Sequence, residues 1–300
     1  MGLKKSRARA QIIEGSAALK QVMQEGLAVT AAGIIDQVMR GYRSLTDSQR
    51  FNAVKGVTVT GANEYKASVL DALSVIASDA IKQARKEVPS KKDVKLSDDI
   101  RLSDFDSLPA GLRTKILALA QQLTGKQLAD LQSYVFFQYQ NSIDSTDDEG
   151  VLEADLEAAA QDYIESSGLS AGAATMSSRV VNDSRDYFFS DDQVAPEIVA
   201  YQFVNGDPVT EVCQELAGTV FPADQPDWER YQPPLHWNCK SVIIPVIGTK
   251  LDDYLKKSGQ EDLEDLGAGK SKGWFDKRIQ FSEHTADGHL CGIRRPAKDT

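Results

Sequence analysis

A chain of 300 residues can fill one large domain or two ordinary ones, and either buries a substantial core. With 41% hydrophobic and 26% charged residues and a formal net charge of −10, its surface as a whole repels a phosphate backbone, so bulk electrostatics do not support general DNA binding and only local basic patches could supply it. No apolar run approaches the roughly 20 residues of a membrane-spanning helix, the basic residues Lys4, Lys5, Arg7 and Arg9 lead into Ile12-Ile13-Glu14-Gly15 rather than a signal-peptide core, and Cys213, Cys239 and Cys291 make no disulfide framework.

The expectation is therefore a chain made in the cytoplasm, with reduced thiols and no membrane partner. From Ser6 to Tyr42 the residues favour helix, with Ile34, Ile35, Val38 and Met39 at helical spacing. Thr46-Asp47-Ser48-Gln49 has the form of a capping box opening a short helix that Gly56 closes. A longer helix is predicted from Asn63 to Glu87, with Leu70, Leu73 and Ile76 on one face. Pro89-Ser90-Lys91-Lys92 breaks that pattern, so 89–104 reads as an exposed, mixed-charge linker.

Ser107 and Pro109 then mark a helix start, and Ile116, Leu119 and Leu123 carry the helix to Gly125. Thr124-Gly125-Lys126-Gln127 predicts a fresh start, followed by a stripe of Leu128, Leu131, Val135 and Tyr139. A further helix is expected from a box at Thr146-Asp147-Asp148-Glu149 to about Gly168. No Lys or Arg occurs between Lys126 and Arg179, where Asp144, Asp147, Asp148, Glu149, Glu153, Asp155, Glu157, Asp162 and Glu165 make an acidic face. A calcium loop starting at Asp144 fails, because its central glycine position holds Glu149.

From Ile198 the character changes. Ile198 to Val204 is β-branched and aromatic, and Asn205-Gly206-Asp207-Pro208 is a turn signal. A short helix is predicted over Val209 to Leu216, closing at Gly218, then a proline-rich loop over 222–234. A second strand follows at Lys240 to Val246, with Pro245 favouring an edge. The fold class expected is α+β: a mostly helical region over 1–190, with the linker near 89–104, followed by a smaller α+β domain over 191–300 that includes a C-terminal extension.

Three blocks of the second region carry a resemblance. Asp207 follows the aromatic strand. Cys213-Gln214-Glu215-Leu216-Ala217-Gly218-Thr219-Val220-Phe221 is close to Cys-x-x-Leu-Asp-Gly-x-Val-Phe. Pro233-Pro234-Leu235-His236-Trp237-Asn238-Cys239-Lys240-Ser241 is close to Pro-Pro-x-His-Pro-Asn-Cys-Arg-Cys, again followed by an apolar strand. In order and spacing these resemble the head-morphogenesis family typified by phage Mu protein F, over residues 207–246, with looser similarity back to the Arg179–Phe189 helix. The motif positions are Asp207, Cys213, Leu216, Gly218, Phe221, Pro234, His236, Asn238 and Cys239. Four departures stand out: Thr210 takes the place of a cysteine found in many relatives, Ala217 of Asp, Trp237 of Pro and Ser241 of the last cysteine.

The resemblance implies a minor head protein of a tailed bacteriophage, assembled in the host cytoplasm and built into the head interior of the virion. Its implied partners are the portal protein and the major capsid or scaffolding protein. Such a role needs docking surfaces and no active site, so no catalytic residue is expected. Genomic DNA is a further expected contact, through the basic arm of Lys4, Lys5, Arg7 and Arg9. For Cys213, His236 and Cys239 the open readings are a zinc site one ligand short, a Cys213–Cys239 disulfide, and two small buried thiols beside a hydrogen-bonded histidine. Asp207, His284, His289 or Cys291 are the residues available to complete a zinc site. The alternative functions are a DNA-contacting internal head protein that influences genome packaging or ejection, and a metal-dependent enzyme or effector. Candidate groups for the latter are a thiol–histidine pair of His236 with Cys213 or Cys239 and a C-terminal metal set at His284, His289 and Cys291; Gly267-Ala268-Gly269-Lys270-Ser271 lacks the leading glycine of a phosphate loop.

Overall fold

The computed structural model describes residues 7–88, 105–206, 210–225 and 231–263. The linker near 89–104, Lys4, Lys5, Asp207, His284, His289, Cys291 and the Gly267–Ser271 stretch lie outside the described residues. The architecture is α+β, as expected: a helical bundle joined to a small antiparallel sheet.

Five helices make the bundle: α1 (Arg7–Ser44), α2 (Ala62–Glu87), α3 (Ala110–Ser142), α4 (Glu149–Glu165) and α5 (Ser167–Phe189). The apolar stripe of α1, from Ile12 through Leu19, Met23, Leu27, Ile34 and Val38, is wholly buried against α2, α4 and α5. Helical spacing of those side chains is what brings them to one face. Gly26 lets α1 and α2 approach closely, since a Cβ there would sit 2.3 Å from the ring of Tyr65. The Tyr65 hydroxyl donates to Oε1 of buried Gln127, whose backbone carbonyl accepts from Tyr163 at 3.3 Å. One buried residue, through its side-chain and backbone oxygens, thus ties α2, α3 and α4 together and pairs both buried tyrosine hydroxyls.

Several expected boundaries move. Gly125 does not end a helix; α3 runs through it, and Thr124 bonds back to the carbonyl of Ala120 at 2.8 Å instead of capping. The roughly 1 kcal/mol cost of a mid-helix glycine is outweighed by the stripe on both sides of it: Leu112, Ile116, Leu123, Leu128, Leu131, Val135 and Tyr139 are buried and Leu119 is half-buried. Thr46 makes no cap bond either, and Asp47–Val54 is a 3-10 helix held by the Tyr139 hydroxyl on the carbonyl of Arg50 at 2.6 Å. The α4 cap is Asp148, which accepts from Gly150 and Val151, while Thr146 accepts from the Asp148 amide. Ser166 alone separates α4 from α5, ending one helix and capping the next.

The sheet comprises β1 (Ile198–Val204), β2 (Val220–Pro222) and β3 (Val242–Ile247), in the order β2-β1-β3 and antiparallel throughout. Between β1 and β2 lies the short α6 (Glu211–Leu216); after β3 comes α7 (Leu251–Ser258). Alternation along β1 sends Tyr201 and Phe203 into the core shared with the bundle and Ala200 into a second cluster with Val220 and Val246, covered by Leu251, Tyr254 and Leu255 of α7. Pro245 sits on edge strand β3 opposite Tyr201, where its missing N–H costs no ladder bond. The other edge, β2, is covered by the amide side chain of Gln260, which accepts from the Val220 N–H at 2.8 Å and donates to its carbonyl at 3.0 Å.

Sheet and bundle share one hydrophobic core, and a buried charge pins them together. Arg185 of α5, 1% exposed, makes a bidentate bond to Glu87 at the end of α2 at 3.0 and 2.6 Å and donates to the carbonyl of Ile243 in β3 at 2.9 Å. Its guanidinium also lies 5.2 Å from the centre of the Phe189 ring.

Candidate functional site

The residues singled out by the sequence pattern converge on the corner between α5, α6 and the entry to β3. Helix α6 delivers Cys213; its start, at Thr210, lies three residues earlier on the same face. The loop before β3 delivers His236 and Cys239. It turns through a cis Pro233–Pro234 bond and through Asn238, whose φ of 63° lies in the left-handed region that Asn enters more readily than most residues. Helix α5 braces this loop twice. Thr175 accepts from the Asn238 N–H at 2.7 Å, and Asn182 donates to the carbonyl of Ser241 at 3.1 Å.

The three expected ligand residues come together. Cys213 Sγ is 3.2 Å from His236 Nε2 and 3.9 Å from Cys239 Sγ, and the three ligand atoms lie within 4.8 Å of one another. Both sulfurs are buried and both cysteines are free thiols, so the disulfide reading is set aside. Ser241, at the position of the family's last cysteine, donates to Cys213 Sγ at 3.2 Å and accepts from the Gly206 N–H at 3.2 Å. Gly206 itself has no room for a side chain, since a Cβ would lie 2.5 Å from the Lys240 carbonyl carbon.

His236 Nδ1 bonds the carbonyl of Trp237 at 2.8 Å, which assigns the ring proton to Nδ1 and turns Nε2 toward the sulfurs. The charges of the corner are set by proximity. A hydrogen bond from Cys213 and the nearby imidazole hold the Cys239 thiol well below its ordinary range against the opposing effect of burial. Hydrogen bonding to Cys239, together with burial, pushes the Cys213 thiol up. For His236 burial works downward, but the Cys239 sulfur and the Trp237 carbonyl outweigh it, and the net shift is upward. Thiolate character therefore concentrates on Cys239.

Other motif residues have structural duties. Leu216 and Phe221 are buried, Phe221 packing between Tyr201 and Tyr231, and Gly218 takes a φ of 81° at the turn into β2. Pro234 forms the cis bond. Asp207 lies outside the described residues, as do His284, His289 and Cys291. The basic arm is divided: Arg7 and Arg9 open α1, whereas Lys4 and Lys5 are outside the described residues. Sequence reasoning missed Thr175 and Asn182, whose only signal was their place as polar residues interrupting the apolar pattern of α5, and it read Ser241 only as a substitute for the family's last cysteine.

Comparison with protein-family models, with curated proteins and with solved structures finds no match for this chain. No described helix is long and apolar enough to cross a membrane.

Proposed function

We propose that the chain is a minor head protein of a tailed bacteriophage, acting in head morphogenesis from the interior of the procapsid in association with the portal. The observation that carries this reading is the convergence of Cys213, Leu216, Gly218, Phe221, Pro234, His236, Asn238 and Cys239, drawn from two separated stretches, on one sheet-and-loop module. A motif that closes a common core is what relatives sharing this fold need to keep. Further support comes from the bundle, which presents large apolar side chains such as Val29, 69% exposed, and Phe137, 52% exposed, as well as the acidic outer face of α4.

In this reading the bundle docks on portal, major capsid or scaffolding protein, and the α+β module serves as a rigid platform. No chemical step is required of it. Tagged full-length chain expressed during infection is expected to co-purify with the portal and to enter procapsids; a chain absent from procapsids overturns the reading. A duplex-DNA titration at low and physiological salt tests the basic arm separately, and binding is expected only at low salt.

A further inference from the structure

We propose that Cys213, His236 and Cys239 bind one zinc ion through Sγ, Nε2 and Sγ, and that the fourth coordination position is left to a water molecule beside the hydroxyl of Thr210. Zinc takes thiolate sulfur at about 2.3 Å and imidazole nitrogen at 2.0–2.1 Å in a tetrahedron, so its S–S and S–N edges are about 3.8 and 3.6 Å. The corresponding separations are 3.9 Å between the sulfurs and 3.2 Å from Cys213 Sγ to His236 Nε2. Small side-chain adjustments convert this cluster into a coordination shell, and the set of soft sulfur plus imidazole favours zinc over magnesium or calcium.

The surrounding bonds are those a metal site needs. The Nδ1–H of His236 is held by the Trp237 carbonyl, which leaves the Nε2 lone pair for the metal. The Ser241 hydroxyl donates to Cys213 Sγ, supporting negative charge there, while its own oxygen is occupied by the Gly206 N–H. Ser241 thus orients a ligand rather than acting as one. Thr210 differs: it precedes Cys213 by one turn, and its buried Oγ1 has only the weak sulfur acceptor of Cys213 beside it. A buried hydroxyl so poorly partnered costs free energy unless something more polar reaches it, and a water bound to the same metal as Cys213 is such a partner. Two thiolates and a neutral imidazole also cancel the charge of Zn²⁺, so the filled site is neutral where both sulfurs are shielded from solvent.

This inference rests on the geometry of the corner and not on the head-assembly reading, which the portal co-purification tests by itself. The experiment uses the purified full chain, stripped with chelator and titrated with Zn²⁺ alone and with Co²⁺ as a spectroscopic probe. One equivalent of zinc is expected to bind, and cobalt is expected to show four-coordinate visible bands with thiolate charge-transfer absorption. Ser241→Ala is expected to weaken zinc about 10–100-fold, as loss of a supporting hydrogen bond does elsewhere. Thr210→Cys is expected to raise the charge-transfer intensity by one thiolate's share and to tighten zinc, a gain of signal that does not depend on a destabilised variant folding. Absence of stoichiometric metal, or a six-coordinate cobalt spectrum without thiolate bands, overturns the site. An unchanged cobalt spectrum in folded Thr210→Cys overturns the assignment of the fourth position.

Discussion

The Arg185–Glu87 pair offers the sharpest test of how bundle and sheet are held together. Both members are hydrogen-bonded at two points, but they differ in exposure: the Arg185 side chain is 2% exposed and that of Glu87 17%. Breaking a buried pair by removing one partner costs about 3–5 kcal/mol, chiefly because the other charge is stranded. Arg185→Met strands a carboxylate that water reaches and leaves the Ile243 carbonyl without its donor, which places it near 3 kcal/mol. Glu87→Gln leaves the guanidinium enclosed with only part of its acceptor set, which places it toward the upper end, about 4 kcal/mol.

The double variant is expected to cost less than the sum, because each single change already forfeits the same interaction. Guanidinium denaturation followed by far-ultraviolet circular dichroism measures all three, at constant slope if the transition stays two-state. If both single variants fall within about 0.5 kcal/mol of the parent, the range of ordinary surface changes, the pair is not the pin described above. Additive costs in the double variant would refute the coupling.

Asp148→Ala removes the side-chain acceptor for two backbone amides at the start of α4 and is expected to cost about 1 kcal/mol in the same assay, against no change for Thr46→Ala, whose side chain caps nothing. Gly206→Ala places a Cβ against the backbone of Lys240, which no rotamer relieves; a loss of about 1–3 kcal/mol and disturbed reactivity of the buried thiols are expected, and a parent-like midpoint would contradict the packing. Burial pushes Tyr139 up to about 12, helped by nearby Tyr42, and pushes Tyr65, Tyr163 and Tyr201 up as well. Each is neutral when protonated and the unfolded chain ionises near pH 10, so this stabilisation is complete below about pH 10 and is lost progressively as the pH rises. In an alkaline titration, the tyrosinate absorbance of these four is expected to appear together with loss of circular dichroism; ionisation of all tyrosines near pH 10 in a folded protein would refute it.

Much of this protein could be read directly from the chain. The periodicity of Ile34, Ile35, Val38 and Met39, and of Leu128, Leu131, Val135 and Tyr139, identifies buried helix faces because 3.6-residue spacing projects them in one direction. The β-branched run Ile198 to Val204 becomes the central strand, and Pro245 indicates an edge strand. Local chemistry was a poorer guide where a long-range contact competed with it. Gly125 reads as a stop but lies inside α3, since buried apolar side chains continue at helical spacing on both sides of it. Thr46 and Thr146 have capping-box spacing but do not cap: Thr46 stands at the N-cap with no side-chain bond into the helix, and at α4 the N-cap is Asp148 instead of Thr146.

For the site, the sequence alone singled out the candidates: Cys213, His236 and Cys239 stand in a recognisable order, with Gly218 closing the helix between them, while the positive φ of Asn238 emerged only in the structure. Only tertiary structure decided that they meet. The approach of α6 to the loop before β3 depends on α5, which bonds that loop through Thr175 and Asn182 and anchors β3 through Arg185. Those are polar side chains buried among the small and apolar residues of α5, and nothing in their local spacing names their partners. The sheet edge closed by Gln260 and the salt bridge reaching from Arg185 to Glu87 have the same origin. Local sequence sets the direction in which a side chain points, whereas the identity of what it meets is set by how distant segments bury one common core.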